Sequence, residues 1–312
     1  MTRIYFNEVV TRDGFQIEPG FIPTDSKVAL IDALSLCGYA KIEATSFTSP
    51  KAIPMLRDAD EVMGRIQRVA GVEYTVLVPN LRGAERAMEA KADELNLVMS
   101  TSETHNLSNL RMTRAQSFAA LAGVVRYVDG QTPINVSLST CFGCPMEGDV
   151  PQADVLAIAR RFADHGVRGI TICDTTGMAH PVQVQRMVEA LQAQLPHTQL
   201  TLHFHNTRGM GLANILAAVQ AGITRFDGSL GGLGGCPYAP GASGNVCSED
   251  AIHMLDAMGY DTGMDVTKLI QLARQLPQIV GHEVPGQVVK AGRITDLHPA
   301  PADVNALRGL AS

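Results

Sequence analysis

Eight short apolar runs, each followed by a helical pattern, constrain the fold of this 312-residue chain more than any other feature. Turn-forming residues bound the runs, which recur at the spacing of strand–helix–strand units. Consecutive strands joined by helices pair in parallel, because a parallel connection needs a long crossover. The predicted strands are residues 4–10, 40–44, 74–78, 94–99, 134–139, 169–173, 200–205 and 224–229.

The number of these units predicts the fold class. Eight strand–helix units in about 230 residues are typical of a (β/α)8 TIM barrel. A doubly wound open sheet is the alternative, but it should carry a glycine fingerprint after its first strand. The segment there reads Arg12-Asp13-Gly14-Phe15, which is not such a fingerprint. We therefore predict one α/β barrel domain over residues 1–312, with a short helical C-terminal extension from about residue 248.

The predicted helices follow capping preferences. The first begins near Asp25, with Thr24 as its N-cap, and stops at Gly38. A later helix opens with Pro181, a residue favoured in the first turn, and runs to residue 195. The other predicted helices are residues 58–70, 83–92, 114–129, 153–165, 212–221, 248–258 and 266–280.

Composition excludes several classes of function. The net charge is −6, from 25 basic and 31 acidic residues, so we expect no nucleic-acid partner. No apolar run reaches the roughly 18 residues of a membrane helix, and the first residues lack a signal-peptide pattern. We therefore expect a cytoplasmic protein without a membrane partner. Barrels often associate, so we also expect a homo-oligomer, a dimer or higher.

The six cysteines do not form a disulfide framework. Cys141 and Cys144 are spaced as a redox pair or a zinc half-site would be. The chain offers no second pair of this kind, and a single pair is a weak signal. We interpret these two cysteines as structural.

Residues with catalytic chemistry follow many of the predicted strands. Active sites of (β/α)8 barrels lie at the C-terminal ends of the strands, so these side chains should meet at one end of the barrel. The candidates are Arg12, Asp13, Glu43, Thr45, Ser46, Ser102, Glu103, Asp174, Thr175, His203, His205, Cys236 and Asn245.

His203 and His205 point to the same side of the seventh predicted strand, because side chains alternate along a strand. Two imidazoles about 7 Å apart suit one divalent metal ion. Two polar residues on a solvated strand face are the alternative. Asp13 adds a carboxylate, and a mixed set of oxygen and nitrogen ligands suits Mg²⁺ or Mn²⁺. Such an ion can bind a substrate hydroxyl and lower its pKa.

Arg12 and Cys236 are the candidates for the reaction itself. Arg12 lies beside the predicted metal ligand, where it can stabilise a developing oxyanion, although a surface salt bridge is the alternative. Cys236 lies in a glycine-dense stretch, residues 231–244, which is typical of a mobile loop. Its thiol can transfer a proton near a carbanion, and a small packed residue is the alternative. The combination indicates carbon–carbon bond cleavage or its reverse.

Several motifs at these positions resemble those of the 3-hydroxy-3-methylglutaryl-CoA lyase family. The resemblance runs from about Val9 to Met264, and the loop Gly232-Leu-Gly-Gly-Cys-Pro-Tyr-Ala239 is its most specific part. The other matching motifs are Arg12-Asp13-Gly14-Phe15-Gln16, Glu43-Ala44-Thr45-Ser46-Phe47, Ser49-Pro50-Lys51, Gly143-Cys144-Pro145, Asp174-Thr175 and His203-x-His205. More distantly, the set is similar to metal-dependent synthases such as isopropylmalate and homocitrate synthases.

The resemblance implies an activity and a set of roles. It implies metal-dependent cleavage of an acyl-CoA substrate into acetyl-CoA and a keto acid. It implies that Asp13, His203, His205 and Asn245 surround the metal and that Arg12 faces the thioester or enolate oxygen. It further implies that Glu43, Asp174 and Cys236 serve in proton transfer or in support of the site.

Three residues depart from the family pattern. Ile17 stands where the pattern has Asn, and Asn206 and Arg208 stand where it has Asp and Tyr. We expect Arg208, beside the metal site, to meet a further substrate carboxylate, which leaves the acyl group of the substrate open.

Two other classes of function compete with a lyase. A condensing synthase or aldolase on the same scaffold is the first alternative, but such enzymes often carry further C-terminal domains. This chain has only about 30 residues after its last predicted helix. A non-enzymatic binding barrel is the second alternative, and it would have little need of Arg12, Asp13 and both histidines together.

Overall fold

The structure, a computed structural model, describes residues 2–235, 244–301 and 303–304. Eight parallel strands close into a barrel in which each strand pairs with the next and β8 pairs with β1. The strands are β1 (Tyr5–Glu8), β2 (Lys41–Ser46), β3 (Glu73–Val78), β4 (Glu94–Ser100), β5 (Ile134–Ser139), β6 (Gly169–Asp174), β7 (Gln199–Phe204) and β8 (Arg225–Gly228). The predicted (β/α)8 fold is confirmed, and every strand boundary lies within two residues of its predicted position.

Helices follow the strands along the chain. They are α1 (Thr24–Leu34), α2 (Ala59–Arg65), α3 (Leu81–Glu89), α4 (Glu103–Leu110), α5 (Arg114–Val128), α6 (Gln152–Asp164), α7 (Pro181–Gln194), α8 (Gly211–Gln220), α9 (Ser248–Ala257), α10 (Val266–Ala273), α11 (Leu276–Val280) and α12 (Val288–Ala291). None of the helices in the described residues has the length and hydropathy that crossing a bilayer requires.

Burial on both faces explains the composition of the strands. In β5 and β6 every residue is buried, as expected for parallel strands between a helical layer and a barrel interior. Across the β1–β8 pair, the rings of Phe6 and Phe226 lie 6.0 Å apart between centroids. Along β4, apolar Leu95 and Leu97 alternate with polar Asn96, and all three are buried. Alternation along a strand therefore puts polar side chains on a second buried face.

A π-helical turn, Val10–Gly14, replaces the end of the first predicted strand. The carboxylate of Glu8 causes the change, because its Oε1 accepts hydrogen bonds from the backbone N–H groups of Val9 (3.0 Å) and Val10 (2.9 Å). The Val9 N–H also donates to the Gly228 carbonyl of β8 (3.0 Å), so the turn begins at Val10, directly after this contact between the two strands. The π-helical turn is a rare element that is often found at functional sites, and here it carries Arg12 and Asp13.

Four details of the predicted helices are wrong. The helix predicted over residues 58–70 ends at Arg65, because the next residue, Ile66, is extended (φ −61°, ψ 144°). Thr24 is the first residue of α1 and not its N-cap, because its hydroxyl donates to Asp58 (2.8 Å) and the cap is Pro23. The helix also ends at Leu34, before Gly38. The predicted helix 266–280 is divided into α10 and α11, and Pro277, which lacks an N–H donor, lies in the first turn of α11.

A buried ion pair between α1 and the start of α2 generates a prediction about stability. Lys27 is 2% exposed, and its Nζ donates to Asp58 Oδ1 (2.7 Å) and to the Met55 carbonyl (2.6 Å). Asp58→Ala leaves a buried ammonium without its counter-charge, so we expect a loss of about 3 kcal/mol in the free energy of unfolding. The matched control is Asp164→Ala, which removes an exposed pair with Arg160 and should cost less than about 1 kcal/mol. Urea unfolding measures both, and equal midpoints for the two variants would contradict the prediction.

Candidate active site

A cavity of about 580 Å³ opens at the C-terminal ends of the strands, the position of active sites in this fold. Five of the predicted site residues line it: Arg12 and Asp13 from the π-helical turn, Thr175 from the segment after β6, and His203 and His205 from the end of β7. The structure therefore brings together side chains that are about 190 positions apart in the chain.

Asp13, His203 and His205 are arranged as a metal-binding set. Each offers one ligand atom, and these atoms lie within 4.8 Å of one another. The two imidazole rings lie 5.2 Å apart between centroids, as expected for alternate positions of one strand. Nδ1 of His205 is buried without a hydrogen-bond partner in the described part of the chain. Buried polar atoms normally have partners, so this set fits a bound divalent cation.

Asn245 lies next to Asp13 and offers a fourth possible ligand atom. Its Nδ2 donates to Asp13 Oδ2 (2.8 Å) and to the Leu233 carbonyl (2.9 Å). Its Oδ1 is buried and has no partner among the described residues, which leaves a carbonyl oxygen available as a ligand. Gly234 makes this approach possible, because a Cβ there would lie 2.4 Å from Asn245 Nδ2 and its φ is +105°.

Arg12 is held between two carboxylates. Its Nη1 lies 2.7 Å from Asp13 Oδ1, and its Nε lies 2.5 Å from Glu43 Oε2. Burial opposes the charged form of both Arg12 and Asp13. The carboxylates nevertheless raise the pKa of Arg12, while Arg12 and the two imidazoles lower the pKa of Asp13 to about 2. Asp13 is therefore ionised at neutral pH, as a metal ligand must be.

Asp227, which the sequence analysis did not single out, orients His203. Its Oδ2 lies 3.2 Å from His203 Nδ1, and its Oδ1 accepts a hydrogen bond from Asn7 Nδ2 (2.8 Å). A carboxylate at Nδ1 fixes the tautomer and leaves Nε2 free for a cation, the usual arrangement of a metal-binding histidine. The signal that could have found Asp227 is its position near the end of the eighth predicted strand.

Glu43 and Asp174 lie near the cavity but do not line it. Glu43 is 2% exposed, with its carboxylate behind Arg12. Asp174 Oδ1 accepts hydrogen bonds from the backbone N–H groups of Met178 (2.7 Å) and Ala179 (3.1 Å), which orders the segment after β6. Burial raises the pKa of Asp174 to about 6, although these hydrogen bonds oppose the shift. The positions of Glu43 and Asp174 indicate that these residues hold neighbouring parts of the site in place and do not contact the substrate directly.

The three departures from the family pattern have different surroundings. Ile17 is 42% exposed and lines the cavity. Asn206 Oδ1 accepts a hydrogen bond from the Gly211 N–H (3.0 Å) at the start of α8. Arg208 Nη1 donates to two backbone carbonyls of the segment after β6, at 2.9 and 3.0 Å, and the residue does not line the cavity. In this arrangement Arg208 contacts the backbone and not the cavity, and the expectation that it meets a substrate carboxylate stays a prediction.

Helix α4 is a part of the site that the sequence analysis missed. It is short and largely polar, so its periodicity is weak. The available signal is Ser102, whose hydroxyl accepts a hydrogen bond from the His105 N–H (3.1 Å) as an N-cap. The helix and the residue after it contribute five residues to the cavity wall: His105, Ser108, Asn109, Leu110 and Arg111.

The cysteines divide into two groups. Cys236 lies outside the described residues, and the preceding Gly235 lines the cavity. All cysteines in the described part of the chain are buried and free. Cys144 Sγ accepts a hydrogen bond from the Ser102 hydroxyl (3.0 Å), which agrees with a structural role.

Comparisons with known proteins agree on one family. A sequence model described as HMGL-like matches residues 3–276. Hydroxymethylglutaryl-CoA lyase YngG of Bacillus subtilis is 44% identical over 91% of this chain and 96% of its own. The mitochondrial hydroxymethylglutaryl-CoA lyase of Mus musculus is 38% identical over 91% of this chain and 88% of its own. A structure of an HMG-CoA lyase from Acinetobacter baumannii, in complex with coenzyme A and 3-methylmalate, is 54% identical and superposes with a TM-score of 0.92, covering 96% of this chain and 98% of that one.

The metal-binding set generates a prediction about affinity. We expect the protein to bind Mn²⁺, and we expect His205→Ala to weaken binding more than about tenfold, because a ligand is lost. The control is His197→Ala, which changes an exposed histidine outside the cavity and should bind like the parent. Free Mn²⁺ can be followed by electron paramagnetic resonance during titration. Equal affinity in His205→Ala and the parent would exclude His205 as a ligand.

Proposed function

The chain belongs to the HMGL-like family, and from this premise we propose that it cleaves 3-hydroxy-3-methylglutaryl-CoA, or a closely related 3-hydroxyacyl-CoA, into acetyl-CoA and a keto acid. The observation that carries the proposal is the convergence of Arg12, Asp13, His203 and His205 on one cavity. The chain matches hydroxymethylglutaryl-CoA lyases over nearly their whole length. These relatives act on carbon–carbon bonds as lyases, which favours cleavage over the reaction of a synthase or an aldolase.

Asp13, His203 and His205, with Oδ1 of Asn245, would hold the divalent cation. We propose Mg²⁺ or Mn²⁺, because carboxylate and amide oxygens with imidazole nitrogens suit these ions. When bound, such an ion polarises substrate oxygens and fixes their orientation. Asp227 holds the His203 ring at Nδ1, so that the ring does not rotate when the ion exchanges.

Arg12 would stabilise the charge that develops on the thioester. When the C3 hydroxyl gives its proton to water or to a base of the site, its electron pair forms the keto group and the C2–C3 bond breaks. The electrons of that bond move to the thioester carbonyl and give an enolate oxygen. A guanidinium held by Glu43 and Asp13 at the cavity wall is placed to receive this negative charge without reorganising.

Cys236 would return a proton to C2 of the enolate, which yields acetyl-CoA. Support comes from its motif in the glycine-rich loop and from the adjacent Gly235, which lines the cavity. Glu43 and Asp174 would act as supports, Glu43 for Arg12 and Asp174 for the segment after β6.

The cavity wall bears on the acyl group of the substrate. Ile17 presents an apolar side chain to the cavity, which Ile53 and Leu77 also line. The A. baumannii enzyme is described in complex with coenzyme A and 3-methylmalate, which supports a CoA thioester of a small hydroxy diacid as the substrate. The homo-oligomeric state and the cytoplasmic location stay predictions.

An assay for acetyl-CoA release tests the function directly. We expect turnover of 3-hydroxy-3-methylglutaryl-CoA or of one related 3-hydroxyacyl-CoA in a panel, with Mg²⁺ or Mn²⁺ present. Treatment with a chelator should abolish it, and either ion should restore it. Absence of acetyl-CoA from every member of the panel, with a folded and metal-loaded protein, would exclude the proposal.

Arg12→Gln separates catalysis from binding. If Arg12 acts on charge present only in the transition state, kcat should fall by about 10²–10³ while KM changes little. The control is Arg82→Gln, which removes an exposed guanidinium on α3 and should be as active as the parent. Steady-state kinetics measures both parameters. A variant that keeps kcat and has a raised KM would assign Arg12 to substrate binding.

A further inference from the structure

The interior of this barrel is polar, although barrels of this fold are usually filled by branched apolar side chains. The polar side chains come from neighbouring and alternate strands: Glu43 on β2, Asn96 on β4, Asn135 and Ser137 on β5 and Thr171 on β6. All five residues are buried, with at most 8% of their surface exposed. The backbone N–H and C=O groups of the strands are paired with those of the neighbouring strands. The buried polar side chains are therefore not needed as partners for the backbone, and their presence must have another reason.

Hydrogen bonds connect these residues into one chain that ends at Arg12. Glu43 Oε1 accepts from Asn96 Nδ2 (2.7 Å), and Asn96 Oδ1 accepts from Asn135 Nδ2 (3.0 Å) and Ser137 Oγ (2.9 Å). The second hydrogen of Asn135 Nδ2 goes to Thr171 Oγ1 (2.9 Å). Two donors at Oδ1 and a carboxylate at Nδ2 fix the orientation of the Asn96 amide.

The carboxylate of Glu43 is thereby held at both oxygens. Oε1 faces the Asn96 amide at 2.7 Å, and Oε2 faces Arg12 Nε at 2.5 Å. The register between β2 and β3 shifts between Glu43 and Thr45, so the strand pairing is irregular directly after Glu43. Without Asn96 the carboxylate could rotate about its side-chain bonds, because Arg12 alone contacts only one of its oxygens.

We propose that Asn96 is a positioning residue, which orients the Glu43 carboxylate and through it the Arg12 guanidinium. The inference rests on the proposed function for its kinetic consequences. Asn96 does not line the main cavity, so it acts through Glu43 and not on the substrate. A reaction that depends on a preorganised guanidinium should respond to this support, because small displacements of a catalytic group reduce the rate strongly.

Gly169 leaves space for the side chain of Asn135, one of the residues in this series of hydrogen bonds. A Cβ at this position would lie 2.7 Å from Asn135 Oδ1, which is too close without movement of the side chain. Gly169 therefore allows Asn135 to reach Asn96 across the β4–β5–β6 surface. The small residue at this position agrees with the view that the hydrogen-bonded side chains form one network in the barrel interior and are not separate polar residues.

The kinetic test is Asn96→Leu, which is nearly isosteric and removes both the donor and the acceptor. We expect kcat to fall about tenfold, the size of a coupling within one hydrogen-bond network, with KM and Mn²⁺ affinity unchanged. Asn96→Ser, which is smaller and cannot reach Glu43, should show the same loss if the leucine variant does not fold. The control is Thr75→Val, a buried residue of the same interior whose hydroxyl bonds a backbone carbonyl (3.2 Å). It should keep the parent kcat.

A double variant tests whether the effect passes through Glu43. In a Glu43→Gln background, Asn96→Leu should lower kcat less than twofold further, because the interaction is already lost. Full additivity of the two effects, or a parent kcat in Asn96→Leu, would overturn the proposal. So would a fall in kcat for Thr75→Val equal to that of Asn96→Leu, since this would indicate a general effect on the interior.

A spectroscopic measurement is independent of the reaction. The Nε–H resonance of Arg12 should be protected from exchange in the parent by its bond to Glu43, and should exchange faster in Asn96→Leu and Asn96→Ser. Arg12→Gln assigns the signal by its absence. An unchanged Arg12 resonance in both folded variants would overturn the proposal. This readout does not use the substrate, so it separates the role of Asn96 from the proposed lyase function.

Discussion

The ion cluster around Arg12 is the interaction on which the rest of the site depends. One guanidinium, 11% exposed at its side chain, faces both Asp13 and Glu43. Removing either carboxylate would leave Arg12 with a single anionic partner, and removing Arg12 would leave two carboxylates close together without a counter-charge. The cluster keeps Asp13 ionised and holds the Arg12 guanidinium in one orientation, as the proposed function requires of both. The same contacts therefore serve stability and chemistry.

Glu8 connects the two loops that carry this cluster and its neighbours. Its carboxylate accepts hydrogen bonds from the start of the π-helical turn, from the Leu230 N–H (2.9 Å), from the Ser248 hydroxyl (2.9 Å) and from the Tyr39 hydroxyl (2.5 Å). Burial raises the pKa of Glu8 to about 7, although these hydrogen bonds lower it. The contact joins the element of Asp13 to the segment that leads to Asn245. Without Glu8, the segments that carry Asp13 and Asn245 would be held together by fewer hydrogen bonds.

Much of the architecture could be predicted because it follows from periodicity. Strand and helix patterns repeat in eight units, and the fold places the C-terminal ends of the strands together. Asp13, His203 and His205 followed from this rule and from alternation along β7. Helix α4 did not, because eight mostly polar residues carry little periodic signal.

Other features could not be predicted because they depend on particular side-chain partners. Asp227 orients the His203 ring opposite it, and Arg208 donates to two backbone carbonyls of the segment after β6. Glu43 lies near the end of the second predicted strand, and only the folded barrel shows that Asn96, on a strand that does not pair with β2, contacts its carboxylate. Sequence spacing indicates which residues share an end of the barrel. It does not indicate which atoms meet there.

In the proposed function, the groups that carry the chemistry and those that contact the acyl group lie on different elements of the site. The π-helical turn and β7 supply Arg12, Asp13 and the two histidines, whereas α4, the segment before α2, Ile17 and residues of other strands contribute to the rest of the wall. The charged groups are tied to the barrel by buried bonds, so a change in the wall leaves their geometry in place. Substitutions such as Ile17 for Asn can therefore alter the acyl group accepted without disturbing the metal-binding set. This separation explains how a chain can keep the motifs of its family at the metal and depart from them at the cavity wall.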